Sequence, residues 1–147
     1  MKIQIIAVGT KMPIWVNAGV EAYLPRFPRE YTLQILEIPL EKNTTLTNAS
    51  VEQAIHPKSW VVALDVLGKS WTTPMLAQKL EYWRGLGKPL CFLIGGPEGL
   101  SEQCLKRANE RWSLSPLTFP HPLVRIILVE QLYRAQSLLN NHPYHRE

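Results

Sequence analysis

The chain has 147 residues, 46% of them apolar and 19% charged, with a formal net charge of +4; this suits one domain with its own core and excludes disordered and coiled-coil compositions. The cationic balance suits an anionic partner such as RNA without demanding one, and with Asp65 as the single aspartate no acidic block exists to repel it. Cys91 and Cys104 fall in no metal or CxxC spacing and read as reduced core thiols, while no signal-peptide pattern or run of ~20 apolar residues appears, so a cytoplasmic protein is expected.

Residues 3–8 form a continuous, β-branched apolar run ended by Gly9, the pattern of a strand buried on both faces. From Pro13 the apolar positions Val16, Val20, Tyr23, Leu24 and Phe27 recur at helical spacing until Pro28, which predicts one amphipathic helix. Residues 32–38 read as a second strand closed by Pro39. The polar segment 41–58 follows, where Ser50 and Gln53 have capping-box spacing for a short helix. WVVALDV, residues 60–66, is a third buried strand, and Thr73-Pro74 opens a helix whose face carries Leu76, Leu80 and Trp83. A strand over 90–94, a short helix over 101–109, an irregular extended stretch over 112–119 and a long helix over 123–140 complete the chain. The order βαβαβαβα predicts a single α/β domain over 1–147, with a mostly parallel sheet and helices on both faces.

Ligands of open parallel sheets sit beyond the carboxyl ends of the strands, so the loops after strands are the candidate sites. Three stand out. In Gly95-Gly96-Pro97-Glu98-Gly99, adjacent glycines admit a close backbone approach to a ligand and Glu98 offers a carboxylate, although the same residues also serve as a tight turn. GxGxxG, GxxxxGK[ST] and GxSxG are all missing, which argues against a dinucleotide fold, a P-loop and a hydrolase elbow. Asp65, at the end of an apolar strand, can bind a ligand hydroxyl or amine but reads first as a turn cap. The stretch from Trp112 to Pro122 mixes small hydroxyl residues with prolines and exposes main chain able to read a purine edge.

The last helix carries Arg125, Glu130 and Arg134, and the tail after it places His142, Tyr144, His145 and Arg146 within five positions. That set permits phosphate binding, base stacking and proton transfer. A two-histidine metal site lacks a third ligand nearby, so no metal is expected.

The segments AVGTKMPIWV (7–16), LDVLGK (64–69), LIGGPEGLS (93–101), WSLSPLTFPHPLVRIILVEQLYRA (112–135) and the terminal NHPYHRE together resemble the ribosomal RNA large-subunit methyltransferase H family, a minimal branch of the SPOUT methyltransferases. The resemblance covers nearly the whole chain and departs from the family at 41–58, which is shorter and less lysine-rich than that family's usual connection. It implies a deep C-terminal trefoil knot that forms an S-adenosyl-L-methionine pocket within about 60–147, at a homodimer interface. It implies that Leu64, Gly95, Gly96, Leu114, Ser115, Pro116, Leu117, Thr118 and Phe119 surround the cofactor. The implied reaction is methylation at N3 of a pseudouridine in 23S ribosomal RNA on the assembled ribosome.

For that reaction the residue types supply roles. His142, His145 or Glu130 would help remove the imide proton, Arg134 and Arg146 would stabilise the developing negative charge, and Tyr144 would stack on or position the base from a tail free to reach a partner. The rivals are a non-catalytic knotted ribosome-binding or assembly factor, whose signature would be a damaged glycine loop or tail, and a small-molecule methyltransferase, for which the basic, aromatic tail makes little sense. Both the glycine loop and the tail are intact.

Overall fold

The computed structural model describes residues 1–146. Five strands, β1 (Lys2–Val8), β2 (Thr32–Ile38), β3 (Trp60–Ser70), β4 (Leu90–Ile94) and β5 (Glu110–Ser113), form one sheet in the order β2-β1-β4-β3-β5. Every pairing is parallel. The helices between and after them are α1 (Ile14–Glu21), α2 (Thr44–Ala54), α3 (Thr73–Gly85), α4 (Glu102–Arg107) and α5 (His121–Leu139). No described helix is long and apolar enough to cross a membrane.

The apolar runs of β1 and β4 are buried on both faces because alternate side chains serve different cores. Ile3, Ile5 and Ala7 of β1, with Leu90, Phe92 and Ile94 of β4, pack against residues of α1, α3 and α5. Ile6, Val8, Cys91 and Leu93 pack instead with Val51 of α2 and Cys104 of α4. Both cysteines are free and buried, as expected. Burial pushes the Cys91 thiol up to about 12, so it stays protonated and inert.

Four boundaries differ from the sequence reading. The first helix breaks after Glu21 and resumes as a 3-10 turn at Leu24–Arg26, because Pro25 has no N–H to continue the α-ladder. α2 begins well before the Ser50/Gln53 signal: Asn43 caps it, its side chain accepting from the Thr45 N–H at 2.9 Å, and Ser50 lies inside the helix. α5 begins two residues earlier than expected, at His121, with Pro122 in its first turn.

The fourth difference bears on function. β3 runs past residue 66, and the register breaks so that both Leu64 and Lys69 stand opposite Trp112. Residues 65–68 are thereby looped out of the ladder at the carboxyl end of the sheet. Part of the stretch expected to be irregular is the edge strand β5. Its Trp112 stacks on Trp71 with ring centroids 5.1 Å apart, which pins the base of the loop that follows.

Candidate cofactor cavity and C-terminal tail cluster

The looped-out segment of β3 and the loops after β4 and β5 meet around a cavity of about 550 Å³, inside the range of small-molecule sites. Each wall has a local cause. Gly99 adopts φ +76 and its N–H donates to the Gly96 carbonyl at 2.9 Å, closing the GPEG turn. A Cβ on Gly95 would lie 2.6 Å from the Gly99 carbonyl carbon, so the turn can fold back only over a glycine. The loop is thus a tight turn, and the same turn forms one wall of the cavity.

Asp65 accepts the Leu67 N–H at 3.2 Å, which makes it a turn cap, and it also lines the cavity. In the third wall the Ser113 hydroxyl donates to the Ser115 carbonyl at 2.9 Å and the Ser115 hydroxyl accepts from the Leu117 N–H at 3.0 Å. These bonds hold the loop before Pro120 in one conformation. Of the predicted cofactor residues, Leu64, Gly95, Gly96, Leu114, Ser115, Leu117, Thr118 and Phe119 line the cavity, while Pro116 sits in the same loop outside the lining.

His121 also lines the cavity, from the first turn of α5. The sequence reading included it in a loop without giving it a role; its signal is a titratable side chain between two prolines at a helix start. Burial, reinforced by the nearby positive charge of Arg125, holds its imidazole below the ordinary value of 6.5. The buried Arg125 is fixed by the Gly9 carbonyl at 2.8 Å and the Glu37 carboxylate at 2.5 Å.

The other candidates form a second cluster. Glu130 accepts from Arg134 at 2.8 Å, from the Tyr144 hydroxyl at 3.1 Å and, on its other oxygen, from Gln131 at 2.8 Å. Arg134 lies 3.3 Å from His145 Nδ1, and its guanidinium stands 4.7 Å from the centre of the Tyr144 ring. Tyr144 also meets Tyr133 edge to face at 4.7 Å and lies 5.5 Å from the Arg26 guanidinium. The tail expected to be free is thus docked on its own chain.

Burial, the hydrogen bond to Tyr23 and the Glu130 charge keep the Tyr144 phenol well above its ordinary value, so it donates and does not act as a base. Burial opposes the Arg134 cation, but the Glu130 hydrogen bonds and charge outweigh it and raise its value. His142 and Arg146 are exposed, and His142 Nδ1 accepts the Tyr144 backbone N–H at 3.2 Å.

The structure does not bring the two groups together within one chain. None of the six predicted catalytic residues lines the cavity. At 1.5 Å per residue, Glu130 and Arg134 lie about 14 Å and about 20 Å along α5 from His121.

Comparison with known proteins agrees with this architecture. Residues 1–145 match the family model described as "Predicted SPOUT methyltransferase". The chain is 51% identical over 156 alignment positions to the ribosomal RNA large subunit methyltransferase H of Hahella chejuensis (strain KCTC 2396), covering all of both chains. That alignment is longer than the present 147 residues, so the relative carries residues this chain lacks. A probable methylase family protein from Haemophilus influenzae Rd KW20 has the same fold, with a TM-score of 0.64 over 99% of this chain and 70% of its own at 13% identity.

Proposed function

Because the chain belongs to the SPOUT methyltransferase family, we propose that it transfers a methyl group from S-adenosyl-L-methionine to N3 of a pseudouridine in 23S ribosomal RNA, as a cytoplasmic homodimer acting on the assembled ribosome. The observation that carries this reading is the cavity at the carboxyl ends of β3, β4 and β5, walled by the same loops that the resemblance assigns to the cofactor. The full-length likeness to a relative named for large-subunit ribosomal RNA supports the substrate.

The lining fits the donor chemically. Leu64, Leu114 and Phe119 offer apolar surface for a purine, the 114–118 main chain offers polar edges, and Asp65 and Glu98 put carboxylates beside a cationic ligand. When bound, the donor supplies an electrophilic methyl group on a sulfonium. The chain's own work is then to orient the acceptor nitrogen and hold or accept its proton.

His121, kept neutral at the cavity wall, is well placed to accept that proton. Glu130, already accepting from three side chains, is better suited to fixing Arg134 and Tyr144 than to acting as a base. Arg134 and Arg146 remain the proposed groups for the developing negative charge, with His142 or His145 as a second proton acceptor.

The separation along α5 supports the homodimer in this reading, since a second copy could bring its tail cluster to the cavity of the first. Ile14, Leu67 and Leu117 are 88%, 89% and 69% exposed, and a partner would cover such apolar surface. The proposal includes a trefoil knot over about 60–147, which membership of the SPOUT family implies.

The test is transfer of labelled methyl from S-adenosyl-L-methionine to ribosomes lacking the modification, comparing assembled ribosomes, free subunits and naked RNA, with mass mapping of the product. Methyl on one pseudouridine in assembled ribosomes alone is the expected result. Donor binding without transfer to any RNA would instead make the protein a non-catalytic ribosome-binding factor.

A further inference from the structure

At the amino ends of the strands, opposite the cofactor cavity, two shallow cavities of about 380 Å³ each share Gly87, Lys88 and Pro89 and so form one groove. Its lining contains the cations Lys2, Lys58, Arg84, Lys88 and Arg107 and no acidic residue. Two of these already have structural work. Arg107 donates to the carbonyls of His56, Pro57 and Ser59 at 3.2–3.4 Å, holding the loop before β3, and Arg84 pairs with Glu30 at 3.2 Å.

Arg84 and Arg107 also lie in the last turns of α3 and α4, where cations complement the helix dipole. Neither explanation reaches Lys2, Lys58 and Lys88. They stand outside the helices and, among the described residues, form no ion pair. Lys58 and Lys88 occupy the two loops that enter the neighbouring strands β3 and β4. Lys88 lies 5.9 Å from the Trp60 ring.

We infer that this groove is a second contact for the RNA phosphate backbone, separate from the site of methyl transfer. A row of uncompensated lysines in a concave, acid-free surface matches a phosphodiester strand. The seven steps from Lys88 to Gly95 at about 3.3 Å each set it about 23 Å from the cofactor loops. A large folded RNA can reach both places at once, whereas a small-molecule substrate cannot. The inference rests on the ribosomal RNA reading above and specifies how that partner is held.

The test is equilibrium binding of the full chain to assembled ribosomes across a salt series. The Lys58→Gln, Lys88→Gln pair is compared with an equal charge loss elsewhere, Lys42→Gln with Lys106→Gln, while donor affinity is measured by calorimetry. The groove pair should weaken ribosome binding about tenfold at intermediate salt and flatten the log Kd against log salt slope by about 1.4–1.8. Donor affinity should not change, and the control pair should have a much smaller effect. Equal losses from both pairs, or an unchanged slope for the groove pair, would overturn the inference. Because binding is read without turnover, a wild type that grips ribosomes but methylates nothing would defeat the catalytic proposal and leave this one standing.

Discussion

Gly95 is the position where the least change in mass should do the most to the cavity. The Cβ of an alanine there would lie 2.6 Å from one backbone atom and 2.8 Å from another, and backbone cannot rotate away as a side chain can. At Gly96 the nearest atom is Val8 Cγ1 at 3.0 Å, which can give way by a few tenths of an ångström. Gly95→Ala should therefore weaken donor binding by about tenfold or more in calorimetry and shift the melting temperature only slightly, with Gly96→Ala the milder variant. His121 makes a different prediction. Its folded-state value lies below 6.5, so the neutral imidazole is fully available above that pH and is lost only as pH falls through the depressed value. The single-turnover rate should fall on the acid side below 6.5, and His121→Gln should remove that limb while lowering the rate by about 10²–10⁴.

At the scale of elements, Glu110 ties the start of β5 to its neighbours. One carboxylate accepts the indole N–H of Trp60 from β3 at 2.9 Å and that of Trp83 from α3 at 2.7 Å, and pairs with Lys79 of α3 at 2.5 Å. Burial alone would raise its value, but the Lys79 and tryptophan hydrogen bonds win and hold it below 4.5. A depressed carboxylate contributes its stability above the unfolded value and loses it as pH falls through the folded one. Glu110→Gln should cost about 1–3 kcal/mol at neutral pH in urea melts, and the gap from wild type should close only below 4.5. The tail is an element held from a distance. Arg26, in the 3-10 turn, places its guanidinium 5.2–5.9 Å from the rings of Tyr23, Tyr133 and Tyr144. Arg26→Ala should release about 0.5–2 kcal/mol of tail docking, read as lost hydrogen-exchange protection over 142–146 with the rest of the chain unchanged. Such long-range ties explain what the sequence does and does not reveal. β1, β4 and the first part of β3 are legible because both of their faces are covered and their composition says so. The polar strand β5 is not, because Asn109 and Glu110 are set by partners some fifty residues away. The loops around the cavity are legible from glycines and prolines, whereas the docking of the tail depends on Arg26, which carries no local signal.

At the scale of the whole molecule, the separation between the cavity and the tail cluster makes a prediction that one copy of the chain cannot satisfy. If a site combines the loops of one protomer with the Glu130, Arg134 and Tyr144 cluster of its partner, damage to each half should be separable. Gly95→Ala would spoil the loops and leave the tail intact, while Arg134→Ala would spoil the tail and leave the loops intact. Each variant alone should lose methyl transfer, since both sites of its homodimer carry the defect. Mixed in equal amounts and allowed to exchange, half of the dimers pair one of each, and in those dimers one site inherits both intact halves. Activity should then return to about a quarter of wild type. A site built within a single chain gives no such recovery, because every protomer in the mixture carries a defect. Sedimentation of the mixture before and after exchange separates a failure to dimerise from a failure to complement. Recovery at the predicted level would assign the 14–20 Å separation along α5 to the spacing between two subunits, so that dimerisation assembles the active site itself.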